Sequence, residues 1–269
     1  ANHFIGFAIH SPIPLTEVEN DLSIFCQQMQ DFKMDTILAV CLPTWQYCLN
    51  LIGDGVNDPA ELSGEAMVVE ELESNLGTHL LGRTVLIIHR LLVAMHFDRL
   101  PILQELLPIL VANHKKVLRG HFSTYAVTYV EGIASYKLYN HTRIRKYRKC
   151  GRAATKRLQQ WVKQGVMNTV PIASCLQAES IAATDTRKRR KADVIREYEN
   201  AIKFAQDLEV WAWEAQFRER IFELLLRVYG DEESATPYLR AAISSFEKWE
   251  AFAKVDSLKN LYRGLLPHH

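Results

Sequence analysis

Apolar residues recur at spacings of three and four along nearly the whole chain, which places them on one face of an α-helix, and strand-like alternation is almost absent. Thr16-x-x-Glu19 has the form of a capping box and opens a helix to about Phe32. Asp35 is placed to cap a second helix, whose stripe of Ile37, Leu38, Cys41, Trp45, Cys48, Leu49 and Ile52 is predicted to kink at Pro43 and to stop near Gly53. Residues 54–64 crowd turn formers together and read as the one long loop and the softest segment. Helices are expected again over 65–75, 78–95 and 100–115, with a break suggested at Pro108. Three hairpins follow, pairing 120–139 with 142–163, 170–184 with 187–207, and 210–229 with 237–252. Asn140 and Gly230 mark reversals, Thr236-Pro237 starts the last long helix, and a short helix over 253–261 closes the series.

The last two hairpins repeat at a spacing of 40, because Tyr198-x-x-Ala201 returns as Tyr238-x-x-Ala241. A large residue three positions before a small one puts a knob and a hole on one helix face, as stacked hairpins require. The expected fold is therefore all-α, a tetratricopeptide-like superhelix of stacked antiparallel helix pairs. It reads as a single helical-repeat domain, 1–269, with N-terminal helices at 1–53, the loop at 54–64, central helices at 65–119, three hairpins at 120–252 and a C-terminal cap at 253–269. Such a stack presents a concave face and bends slightly at each interface, so binding at one end can bias domain positions at the other.

With 48% hydrophobic and 23% charged residues in 269, the chain can bury a substantial core. Its net charge of +1 predicts no bulk attraction to nucleic acid or membrane, although the charge is unevenly distributed. Five cysteines, Cys26, Cys41, Cys48, Cys150 and Cys175, are odd in number and sit in apolar segments, the pattern of buried free thiols in a reducing, cytoplasmic setting. The most apolar run, 84–97, is interrupted by His89 and Arg90 and is too short for a bilayer. The chain opens at Ala1 inside an apolar pattern and reads as a fragment of a longer protein.

Candidate chemistry is sparse. Gly53-Asp54-Gly55-Val56-Asn57-Asp58-Pro59-Ala60 resembles the hinge motif of P-type ion pumps, but no Asp-Lys-Thr-Gly-Thr phosphorylation motif accompanies it, and turn formation explains the string. His89 and His96, like His114 and His121, are seven residues apart, two helical turns, which is too far for one ion. Nucleotide-binding glycine loops and nucleophile elbows are missing, so the reading assigns no catalytic residue, no metal and no cofactor. The terminal aromatics Trp211, Trp213, Phe217, Phe246, Trp249 and Phe252 read as core between helices rather than a peptide groove.

Two basic runs carry the strongest local charge. Arg145, Lys149, Arg152 and Lys156 lie on one helix, and Arg187, Lys188, Arg189, Arg190 and Lys191 open another; together they form the candidate partner-binding surface. Acidic Glu197, Glu199, Asp207, Glu209 and Glu214 in the following segments are expected to neutralise the first run. The partner implied is a protein, with nucleic acid the lesser alternative.

Read in order, the motifs resemble the helical region of very large signalling proteins that join a serine/threonine-kinase-like domain, an AAA-type ATPase module, this helical stretch and a sensor histidine kinase. Tyr198-x-x-Ala201-Ile202-x-x-Ala205, Glu214-Ala215, Tyr238-Leu239-Arg240-x-Ala242 and Trp249-Glu250-Ala251-x-Ala253-Lys254-Val255 carry the likeness. Pro14-Leu15-x-Glu17-Val18-Glu19 and Asn57-Asp58-Pro59-x-x-Leu62-Ser63-Gly64-Glu65-Ala66 add to it, while the basic stretch at 187–191 departs from the family's usual hairpin. The resemblance implies a noncatalytic module for protein interaction or interdomain coupling, with the ATPase and kinase activities carried elsewhere in the parent.

Overall fold

A computed structural model describes residues 11–119, 123–185 and 188–266. Among these residues there are helices and no strands, so the chain is all-α. The backbone groups into two compact units: one runs through Thr124 and includes Glu247–Ser257, and the other holds Tyr125–Phe246 and the chain from Leu258 onward.

The first unit is built from α1 (Leu15–Asp31), α2 (Asp35–Ile52), α3 (Val69–Leu76), α4 (Leu80–His96) and α5 (Leu100–Val117). Helix α1 buries Leu15, Val18, Leu22, Cys26 and Met29, the stripe expected of an amphipathic helix, and packs on α2. The capping box does not form. Thr16 lies inside the helix and donates to the Glu250 carboxylate, while Glu19 accepts from Trp45 Nε1 at 2.7 Å, so both side chains make tertiary bonds instead. Nor does Asp35 cap α2: Met34 holds the cap position, without a side-chain bond, after a turn made by Lys33 at φ 56°. Pro43 and Pro108 sit within α2 and α5, and both helices continue past them. Around Pro43 the neighbours Cys41, Thr44, Tyr47 and Cys48 are all buried, and that packing outweighs the roughly 3 kcal/mol a mid-helix proline costs. Gly53 ends α2 in the left-handed conformation, φ 92°, with its amide bonded to the Leu49 carbonyl at 2.7 Å.

The long loop after Gly53 is anchored to the helix before it. Two fully buried amides of α2 hold it: Asn50 donates to the carbonyls of Pro59 (2.9 Å) and Glu61 (2.5 Å), and Gln46 accepts from the amides of Ala66 (2.9 Å) and Met67 (3.2 Å). Gln46 also donates to Asn50 Oδ1 at 3.0 Å, which fixes the two amides relative to each other. Ala60, Leu62 and Met67 are buried, and Asp58 of the pump-like string pairs with Arg99 at 2.7 Å.

The second unit is built from three antiparallel helix pairs: α6 (Thr124–Thr142) with α7 (Arg145–Lys163), α8 (Val170–Thr184) with α9 (Lys191–Asp207), and α10 (Trp211–Glu223) with α11 (Glu232–Lys248). Helix α12 (Phe252–Leu261) is divided between the two units. Within each pair the first helix is inner and the second outer. Helix α6 is buried continuously from Val127 to Tyr139, and α8 and α10 are buried on nearly every side, the state of helices at the centre of a bundle. These inner helices meet one another: Tyr129 of α6 stacks edge-on against Phe217 of α10 at 6.0 Å, and its hydroxyl lies 4.0 Å from Cys175 Sγ of α8. The inner helices of this unit are thus buried and joined by side-chain contacts.

The outer helices bury one stripe each, and the three stripes superpose: Tyr147, Gly151, Ala154, Thr155 and Leu158 on α7; Val194, Tyr198, Ala201, Ile202 and Ala205 on α9; Ala235, Leu239, Ala242, Ile243 and Phe246 on α11. The repeat in space is therefore 47 and then 41 residues, not 40. Tyr238 and Ala241 stand one position off the buried stripe and are half-exposed, with Tyr238 donating to Glu199. A π-helical stretch, Leu224–Tyr229, lies between the last two stripes; a π turn takes up one residue more than an α turn and absorbs such a shift. Helix α11 also begins earlier than expected, at Glu232, with Pro237 inside it. Asn140 remains helical, and the reversal falls at Arg143, φ 56°.

Candidate interaction surface

Helix α7 reads Arg-Lys-Tyr-Arg-Lys-Cys-Gly-Arg-Ala-Ala-Thr-Lys-Arg-Leu-Gln-Gln-Trp-Val-Lys, with no carboxylate in 19 residues. Its apolar and small residues turn inward. A Cβ on Gly151 would lie 2.8 Å from the Tyr136 ring of α6, so only glycine allows this approach. Burying that side leaves Arg145, Lys149, Arg152 and Lys156 exposed at i, i+4, i+7 and i+11, within a sector of roughly 60° and along about 16 Å of helix. None of the four makes an ion pair among the described residues. Three of the five acidic residues expected to neutralise them have other neighbours: Glu199 takes the Tyr238 hydroxyl, Glu214 pairs with Arg218 at 2.8 Å, and Glu197 lies 3.9 Å from Arg196. Other cations of the run are occupied. Arg157 pairs with Glu131 at 2.5 Å, Arg148 lies over the Tyr139 ring, and Lys146 lies over that of Tyr147.

The second basic run is a different object. Asp185 accepts the backbone amides of Arg189 (2.9 Å) and Arg190 (2.6 Å), Arg190 pairs with Asp193 at 2.9 Å, and Lys191 pairs with Asp231. Lys188 donates to the Tyr229 carbonyl at 3.4 Å. The Lys191 contact holds Asp231 down at about pKa 2, well below the usual carboxylate range. Of the nine candidate residues, four form an open row, Lys188, Arg190 and Lys191 are tied into the α8–α9 turn, Arg189 is exposed there, and Arg187 lies outside the described residues.

The sequence reading missed the charges buried in the inner helices. Arg220 of α10 donates through Nε and Nη2 to Glu179 Oε1 of α8 at 2.9 and 2.6 Å and through Nη1 to Glu223, which also takes Lys137 of α6 at 3.2 Å. Tyr198 of α9 adds a hydrogen bond to Glu179 at 2.8 Å. Burial alone would lower the Arg220 pKa, but Glu179 and Glu223 more than offset it and hold the guanidinium well above its ordinary range. Among these four residues two cations face two anions, and their contacts join three inner helices. The hollow beside it, between Lys137, Asn140, Arg220 and Arg227, offers about 20 Å³, room for one water and no substrate. A charged residue inside a helix otherwise apolar on all sides is the signal that could have found these groups.

The aromatics Trp213, Phe217, Phe246 and Trp249 are core, whereas Phe252 is exposed. In the first unit, His89 and His96 both face Tyr47: His96 Nε2 and the Tyr47 hydroxyl are 3.1 Å apart, and the His89 ring stands edge-on at 5.8 Å. His89 Nδ1 donates to the Val85 carbonyl at 2.8 Å, which leaves Nε2 to accept from Thr44 at 3.2 Å. Burial lowers its pKa to about 4. All five cysteines are free thiols; burial raises Cys26 to about 12 and Cys41 to about 11, which makes both poor nucleophiles. Among the described residues no cluster of three metal-ligating side chains occurs and no helix is long and apolar enough to cross a membrane. No protein-family model, curated protein or solved structure matches the chain.

Proposed function

We propose that this chain is a noncatalytic helical-repeat module that docks a protein or couples neighbouring domains within a larger signal-transducing ATPase or kinase. One observation carries the reading: the inner helices of the second unit are buried on nearly every side, while an outer helix presents a row of cations that make no ion pair among the described residues. The usable surface is then the outer one rather than a concave groove. A partner seated there shifts the module only as far as its affinity differs between two arrangements of the parent. The family resemblance supplies the signalling context.

The purified chain is expected to leave millimolar ATP unhydrolysed. Excising residues 11–266 from the parent is expected to preserve both catalytic activities while removing the dependence of one on the other. Saturable ATP turnover by the chain, abolished by a substitution within it, overturns the reading.

A further inference from the structure

The open row on α7 carries an electrostatic cost that the isolated chain does not relieve. Arg145 and Lys146 occupy the first turn, where the helix dipole disfavours positive charge, and Ile144 at the cap position supplies no side-chain acceptor. Along the row, Arg145/Lys149, Lys149/Arg152 and Arg152/Lys156 are like-charge neighbours at i, i+4 or i, i+3, each pair unfavourable in a helix. Anionic groups spaced along one straight line about 16 Å long would relieve all of these together.

The row also leads to a hollow of mixed lining, with one apolar wall among polar and charged residues. Lys163 lies five turns from Arg145 on the same face, and beside it a depression of about 340 Å³ opens between α7, α8 and α9, walled by Val162, Val170 and Ala173 and rimmed by Gln159, Gln177 and Glu197. Val166 and Met167, in the connection that follows α7, are 41% and 65% exposed, which continues the apolar character past the hollow. A line of cations ending at a pit sized for one large side chain matches an amphipathic helix carrying carboxylates on one face and an apolar anchor beyond them. Ala153, exposed beside the row, lets a second helix come close.

We infer that α7 is the docking face for an acidic amphipathic α-helix of a partner protein, its carboxylates paired with Arg145, Lys149, Arg152 and Lys156 and its anchor seated against Val162, Val170 and Ala173. Nucleic acid fits less well. Tyr147, the aromatic residue within the span of the row, faces the core and offers no platform for stacking bases. The chain's net charge of +1 also gives no broad positive field.

This inference rests on the interaction-module reading, and the experiment separates the two. The probe is a fluorescein-labelled 24-residue helical peptide with glutamates spaced four, three and four apart and a leucine pair one turn beyond the last. Anisotropy titration of the full chain is expected to give saturable binding that weakens with salt. A scrambled peptide of the same composition, or the K149E/R152E/K156E variant, is expected to bind at least tenfold more weakly. Val162→Gln, at the hollow, is expected to weaken the peptide severalfold while leaving its salt dependence intact. Unchanged thermal unfolding of each variant excludes loss of fold as the cause. Equal binding of the scrambled peptide, no binding at all, or a 24-nucleotide single strand or 24-base-pair duplex binding tighter than the peptide and lost in the triple variant would each overturn the inference. If excision still uncouples the parent's activities in those cases, the module reading survives; if the chain turns over ATP, that reading fails as well.

Discussion

Replacing Arg220 by methionine tests whether the inner helices of the second unit are held by their charges as well as by their packing. Methionine roughly preserves the length and burial of the side chain but removes every donor. Glu179, fully buried, would keep only the Tyr198 hydroxyl, and Glu223 would keep Lys137. Removing one partner of a buried ion pair costs about 3–5 kcal/mol because it leaves an uncompensated charge. Glu223 retains a cation, so nearly all of that cost falls on Glu179. Urea unfolding followed by helical circular dichroism at pH 7.5 should show a loss of about that size. A variant within 1 kcal/mol of the parent at pH 7.5 would refute the reasoning.

In the first unit, His89 titrates near 4 when folded and near 6.5 when unfolded, so the unfolded chain binds the extra proton and stability declines as pH falls from about 6.5 towards 4, by up to about 3 kcal/mol. Urea midpoints across that range should show the decline, and His89→Gln should flatten it; equal slopes in both proteins would count against a buried neutral imidazole. Asn50→Ala should cost about 2 kcal/mol or more by stranding the Pro59 and Glu61 carbonyls, and amide exchange should speed up across residues 58–67; unchanged exchange there would mean the loop is held by other contacts. Cys26 and Cys41 should resist a thiol reagent in the native protein at pH 8 and react once urea exposes them, and rapid native labelling of either would contradict their burial.

How much of this was legible depended on whether the determining interaction was local. Helix periods and most boundaries could be read because a stripe such as Val194, Tyr198, Ala201, Ile202 and Ala205 is written within four turns. The capping box at Thr16 misled because Trp45 and Glu250, both distant in sequence, compete for its two side chains. The loop after Gly53 looked soft because its turn formers are visible, while the amides that hold it, Gln46 and Asn50, lie in the preceding helix and look like ordinary polar residues. The matching Tyr-x-x-Ala strings point to a period one residue short of the buried one, because burial is not displayed in sequence. Charge density singled out the row on α7 as a candidate surface, but it could not separate cations left open from those that Asp185, Asp193 and Asp231 engage in the next turn.

The shared stripe conceals a difference in which partner supplies the bulk. At the second buried position of the outer helices, α7 has Gly151 and receives Tyr136 from its inner neighbour, while α9 has Tyr198 and sends it inward to Glu179. Exchanging these two outer helices would drive two phenol rings into the same volume at one site and open a void beside an under-solvated carboxylate at the other. The three hairpins thus have a common outline and unlike keys, so their order along the polypeptide is fixed and none can be duplicated or transposed without refitting its mate.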